Sequence, residues 1–233
     1  MPKGKKAREE RAPKQKQTDL SQAEINRRRR RDNLMRLLID NFGPGDRYLT
    51  LTYKDKPPGV DEIKEDVKKL KRQLKAKYKR LGVELKYAGI IENLYGGGRP
   101  HVHLLINAAE GLPVKQIERM WGHGFAKSQE YGGEPEDARK LSDYFTKART
   151  EDVSSGLQTS RNLIRTEPKK EEVRRSSSFR EKIRPPAGYI EIQLEGWSGS
   201  WYTEEGFLMV RAVFVRVDDV ARGAPRKKKG EST

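Results

Sequence analysis

The chain contains no cysteine, so it holds neither a disulfide nor a thiolate metal site, and any metal must be bound through His, Asp or Glu. No apolar run approaches the roughly 20 residues that a membrane span requires. The Lys/Arg-rich N-terminus has no apolar core of the kind a secretory signal needs, which leads to the expectation of an intracellular protein. No Gly-x-x-x-x-Gly-Lys-Ser/Thr stretch occurs, which leads to the expectation of no fused ATPase of the P-loop kind. Hydrophobic residues make up only 33% of 233, enough for one modest core accompanied by polar segments.

What the chain has in excess is positive charge. Fifty Lys+Arg against 34 Asp+Glu give a formal charge of +16, which favours a polyanionic partner such as nucleic acid or an anionic membrane surface. Residues 1–33 read as a basic, disordered arm ending in Arg27, Arg28, Arg29, Arg30 and Arg31, which can also bind phosphates.

Leu34, Leu37, Leu38 and Phe42 are spaced as a short amphipathic helix ended by Gly43-Pro44-Gly45. Tyr48–Tyr53 alternates and is rich in β-formers, so it predicts a strand. Ile63, Val67, Leu70, Leu74, Tyr78 and Leu81 form one helical stripe, with Gly82 where a C-terminal cap belongs. Strands are expected over 84–93 and 101–107, joined at Gly96-Gly97-Gly98. A helix should follow from Pro113 to about Met120, then a strand over 124–131 and a helix from Pro135 to about Arg149. The order β-α-β-β-α-β-α is that of a split βαβ fold: α+β, with helices packed on an antiparallel sheet. Residues 34–150 form this domain and 151–187 read as a linker or long loop. A β-hairpin is expected over 188–218, its strands at 190–194 and 207–217, and a basic disordered tail over 219–233.

The sharpest chemical signal is His101-Val102-His103. Alternate residues of a strand share a face, so two of the three histidines can hold one divalent cation while Val102, Leu104 and Ile106 anchor the strand from the other side. Two incidental strand histidines would give the same pattern. Glu92, across the glycine hairpin from His101, can complete a His-His-Glu set, or be a solvated hairpin carboxylate. Such donors, with positions left open for phosphate oxygens and water, suit Mg2+ or Mn2+. Tyr144 and Lys147 lie three apart on the last helix and therefore side by side. A phenol of pKa ~10 is a weak nucleophile that a neighbouring ammonium would activate. A boundary tyrosine with a wet hydroxyl is the alternative. His123, in Trp121-Gly122-His123-Gly124, reads as a turn residue or a further ligand or proton shuttle. Trp197 and Trp201 read as hairpin packing or base stacking.

In order along the chain, Tyr48-Leu49-Thr50-Leu51-Thr52-Tyr53, Arg99-Pro100-His101-Val102-His103-Leu104-Leu105-Ile106 and Tyr144-Phe145-Thr146-Lys147 resemble the three motifs of HUH endonucleases. Among these the nearest in kind are rolling-circle replication initiators of small single-stranded DNA phages and plasmids. Ser160-Arg161-Asn162-Leu163 resembles a stretch downstream of the catalytic helix in the phage proteins. The resemblance spans roughly 46–170. It implies an RRM-like HUH nicking domain with His101, His103 and Glu92 on the metal and Tyr144, aided by Lys147, attacking single-stranded DNA at a replication origin. The product is a 5′-phosphotyrosine and a free 3′-OH. Arg99, Lys140 and Arg27–Arg31 are the expected DNA-binding residues. Implied partners are the origin and a host helicase and polymerase, in the cytoplasm of a bacterial host, with no membrane and no small-molecule substrate. Phe145 follows Tyr144 where some phage members carry a second catalytic tyrosine, so a single-tyrosine mechanism is implied. A single-tyrosine transposase or relaxase, or a non-catalytic nucleic-acid-binding module, are the competing readings.

Overall fold

The computed structural model describes residues 20–150, 154–167, 183–195, 197–202 and 208–217. Its elements are α1 (Leu20–Asn41), β1 (Asp46–Thr52), α2 (Val60–Arg80), β2 (Tyr87–Glu92), β3 (His101–Ile106), α3 (Val114–Trp121), β4 (Ala126–Tyr131), α4 (Pro135–Thr150) and β5 (Gln158–Thr159). Four short strands follow: β6 (Tyr189–Ile192), β7 (Gly199–Tyr202), β8 (Leu208–Arg211) and β9 (Val213–Arg216). The chain is α+β, with a five-stranded antiparallel sheet in the order β4-β1-β3-β2-β5.

Alternation along the strands divides the sheet into two apolar faces, each covered by helices. Leu49, Leu51, Ile91, Val102, Leu104 and Ile106 pack with the α2 stripe Ile63, Val67, Leu70, Leu74 and Tyr78 and with Ile117 and Trp121 of α3. Each fully buried Leu or Ile of that stripe stabilises the fold by about 1.5–3 kcal/mol relative to exposure. Asp61 and Glu62 in the first turn of α2 and Lys77, Lys79 and Arg80 in its last turn complement the helix dipole. The opposite face, through Ala88, Ile90 and Leu105, packs with Leu34, Leu38 and Phe42 of the α1 segment and with Ala138 and Phe145 of α4. This second face carries the site. Gly89 of β2 is the one residue type that fits there, because a Cβ would collide with the backbone carbonyl of His103 on β3.

Two expectations are corrected and a third is refined. The basic arm expected over 1–33 is helical from Leu20 on, so Arg27–Arg31 lie on the 22-residue α1 and the helix expected near 34–42 is its last part. Arginine is a good helix former, and a helix anchored by Leu34, Met35, Leu37 and Leu38 extends cooperatively through such a run. Residues 1–19 lie outside the described residues. The linker expected over 151–187 is, over 154–167, part of the domain. Ser155 exchanges hydrogen bonds with the backbone of Ile91, Ser160 with that of Tyr87, and β5 adds to the edge of β2. The serine hydroxyls supply what an apolar strand pattern would otherwise have announced. The C-terminal hairpin is present, its two arms paired in two successive ladders, β6 with β9 and β7 with β8. The strand expected over 207–217 breaks between β8 and β9, and Leu194 and Trp197, in the segment between β6 and β7, are buried in the second core. The tail over 219–233 lies outside the described residues.

Candidate metal and tyrosine site

Strand register builds the site. Thr52, His101 and Glu92 stand directly opposite one another on β1, β3 and β2, and Thr50, His103 and Ile90 form the next row. Directly paired residues of antiparallel strands share a face, so Glu92, His101 and His103 project together. Their ligand atoms all lie within 4.8 Å of one another. His103 Nε2 is 3.0 Å from Glu92 Oε2, and His101 Nδ1 is 3.8 Å from the same oxygen. His103 is buried, whereas His101 and Glu92 are half-exposed, so the set has a closed floor and an open mouth.

Helix α4 crosses this face and brings in Tyr144. Its hydroxyl donates to Glu92 Oε2 at 2.8 Å and lies 3.0 Å from His103 Nε2. Burial pushes the Tyr144 phenol above its ordinary value, and the hydrogen bond to Glu92 and the charges of Glu92 and Tyr48 push further the same way. Burial pulls His103 below the ordinary imidazole range against the opposing pull of Glu92, which leaves it neutral and able to ligate. Burial is also the largest influence on Glu92 and would raise it. The hydrogen bonds from Tyr144 and His103 and the neighbouring imidazoles together outweigh that, and the carboxyl ends below its usual value.

A further member was not singled out from the sequence. The Tyr48 hydroxyl lies 2.8 Å from His103 Nδ1, with Thr50 Oγ1 3.4 Å from the same nitrogen. A neutral imidazole that presents Nε2 as a ligand carries its proton on Nδ1, and Tyr48 and Thr50 are the groups placed to accept it. The signal available in the sequence was the i, i+2 spacing of Tyr48 and Thr50 on the strand that pairs with β3.

The other expected site residues lie elsewhere or are otherwise engaged. Lys147 is exposed one turn beyond Tyr144 and makes no hydrogen bond or ion pair among the described residues. Arg99 donates to the carbonyls of Tyr53, Lys54 and Asp55 and thereby braces the loop after β1. Lys140 is exposed, 3.6 Å from Glu136. Arg27, Arg28, Arg29 and Arg30 are exposed on α1, and Arg28 pairs with Glu24. Arg31 turns inward, to Asp143 and over the ring of Trp197. His123 is not part of the metal set: it pairs with Asp66 at 3.2 Å and packs on Tyr53 and Trp121. Trp197 is buried between Arg31 and Arg211 and is not a free stacking surface, whereas Trp201 is exposed.

Two imidazole nitrogens and a carboxylate oxygen, with no sulfur and with an open side, fit a divalent cation that also binds substrate oxygens. The set on its split βαβ sheet is compatible with the HUH motif. Residues 46–149, which run from the start of β1 almost to the end of α4 and hold every member of the site, match the family model described as replication-associated protein ORF2/G2P. The match supports a role in replication initiation. No curated protein and no solved structure matches the chain. No helix among the described residues is long and apolar enough to cross a membrane.

Proposed function

We propose that the protein is a replication initiator that nicks single-stranded DNA at an origin by tyrosine transesterification. The observation that carries this reading is the Tyr144 hydroxyl, 2.8 Å from Glu92 Oε2 and 3.0 Å from His103 Nε2, at the mouth of the His-His-Glu set. Tyr144 Oη attacks the phosphorus, the P–O3′ bond breaks, and the 5′-phosphate stays on the tyrosine. The phenol proton leaves to solvent, and the departing O3′ takes up a proton from water to become the 3′-OH that a polymerase extends. Reversal by that 3′-OH rejoins the strand and frees Tyr144.

His101, His103 and Glu92 would hold magnesium or manganese, which when bound supplies Lewis-acid polarisation of the phosphate. Tyr48 and Thr50 keep His103 oriented. Lys147, on the Tyr144 side of α4, offers an ammonium to the phosphate and favours the phenolate. The exposed arginines of α1 and the formal charge of +16 draw the substrate strand to the domain.

The test mixes the protein with single-stranded oligonucleotides of varied sequence and Mn2+ and resolves the products on a denaturing gel. A covalent protein–DNA adduct is expected from the native chain. Tyr144→Phe should lower adduct formation by on the order of a thousandfold or more, with DNA binding within about twofold of native. An adduct that persists in Tyr144→Phe removes Tyr144 from its role.

A further inference from the structure

Every residue of β7 is exposed, and its partner β8 is half-buried at both ends and exposed between them. A two-stranded ribbon is marginally stable by itself, so apolar groups on its open faces do little for its fold. Register sorts those groups. Trp201 and Met209 stand opposite one another and share a face with Arg211, while Tyr202 lies on the other face. Trp201 is 38% exposed and Tyr202 71%. Exposed apolar groups gathered in this way mark an interaction site.

The charge around the ribbon says what it meets. Arg211 pairs with Asp32 of α1 at 2.8 Å and lies over the Trp201 ring, 5.6 Å from its centroid. Arg28 and Arg29 precede Asp32 by one helical turn, so they share its side of α1, and both are exposed. The aromatic ribbon and this arginine stripe therefore meet at the Arg211–Asp32 pair. Asp32 is already engaged by Arg211 and Arg31. Arg29 makes no hydrogen bond or ion pair among the described residues. Surplus cation beside open aromatic rings fits a polyanion that carries planar groups. An apolar protein surface would leave these guanidinium groups without counter-charge, and a duplex keeps its bases stacked on one another.

From this we infer that the β7–β8 ribbon and the arginine stripe of α1 form a second contact for single-stranded DNA. Trp201 and Tyr202 stack on bases, and Arg28 and Arg29 hold phosphates. The choice of a DNA single strand as partner rests on the nicking reading above. Both elements lie outside residues 46–149, the part that matches the replication-associated family, and none of these four residues belongs to the tyrosine site. A strand held at a second point stays bound after its phosphodiester is cut. The free 3′-OH is then kept at high effective concentration near the phosphotyrosine, which favours rejoining.

The chain has three tryptophans, and Trp121 and Trp197 are buried, so quenching by a bound base reports on Trp201. In the experiment dT12 is titrated into the full chain in chelator, so that no cleavage intervenes. Tryptophan emission should fall as dT12 binds, and the fall should vanish in Trp201→Phe. A duplex of mixed sequence should leave the emission unchanged. By anisotropy of labelled dT12, Trp201→Ala and Tyr202→Ala should each weaken binding about 5- to 150-fold, the range of one stacked base. Arg29→Gln should lower the slope of log affinity against log salt by about 0.7, the value for one phosphate contact on a single strand. Melting temperatures near native show that these exposed replacements leave the fold in place. Emission indifferent to dT12, or affinities of both alanine variants within about twofold of native, overturns the surface. So does emission that changes with protein concentration in the absence of DNA, which assigns the ribbon to a second copy of the chain. Adduct formation with Mn2+ is measured in parallel. An adduct from a chain whose emission ignores dT12 removes the surface and keeps the nicking reading. Quenching that Trp201→Phe abolishes, without any adduct, keeps the surface and removes the nicking reading.

Discussion

Tyr48 of β1 and His103 of β3 are joined by a hydrogen bond of 2.8 Å to His103 Nδ1, with their rings stacked at 5.8 Å between centroids and 11° between planes. The partner of the nitrogen that does not face the metal set fixes the tautomer and the ring orientation of a ligating histidine. Removing the hydroxyl in Tyr48→Phe leaves the ring packing and takes away the Nδ1 partner. Mn2+ affinity measured by calorimetry should fall about 10- to 100-fold, with the melting temperature of the metal-free chain within a few degrees of native. An unchanged affinity would mean that Thr50 alone orients the imidazole.

Cation binding should also be visible without any substrate. Glu92, His101 and His103 come from two strands and meet only in the folded chain, so an ion bound there stabilises the fold by mass action. At a free Mn2+ concentration 100 times its dissociation constant the gain is about 2.7 kcal/mol. The thermal midpoint should rise accordingly with Mn2+, return with chelator, and not respond in His103→Ala. A midpoint indifferent to Mn2+ in the native chain would rule the site out.

Lys71 of α2 gives a pH dependence with a definite sign. Its ammonium is partly buried, donates to Gln158 of β5 at 2.6 Å and lies over the ring of Tyr87, and burial holds it below the ordinary lysine value of 10.5. The unfolded chain therefore binds this proton more tightly than the native one, and stability from this group rises as pH climbs from the lowered value toward 10.5. The native chain should gain on Lys71→Met between pH 7 and pH 10 in urea unfolding. A difference that stays flat or reverses over that interval would show that the ion–amide contact, not burial, governs this lysine.

Trp197 ties the C-terminal strands to the domain. It is buried in the second core, with the guanidinium of Arg31 4.8 Å and that of Arg211 5.0 Å from its ring, while Arg211 also pairs with Asp32 of α1 at 2.8 Å. Trp197→Ala should cost about 3–5 kcal/mol in denaturant unfolding, as a large buried aromatic does. A loss under about 1 kcal/mol would mean that the strands after residue 188 contribute little to the fold.

The local patterns carried much of this. Period-two alternation in His101–Ile106 puts both histidines on one face, and the three- and four-residue spacing of Ile63 to Tyr78 gives α2, because these periodicities are properties of neighbouring residues on one element. The glycines after Glu92 mark the hairpin that sets Glu92 opposite His101. The arginine run of α1 and the serine-rich edge at 154–160 misled, since the run is helical by extension from the segment anchored at Leu34–Leu38 and the edge is held by serine hydrogen bonds to β2, neither of which an apolar pattern announces. The sequence by itself determined which side chains share a strand face or a helix stripe. Only the tertiary structure decided that α4 crosses the histidine face with Tyr144 over Glu92, that Tyr48 backs His103 from the next strand, and that β4 and α4 leave a cleft between them. The first two relations join residues 41 to 55 positions apart, and all three are set by how two covered faces pack rather than by any repeat along the chain.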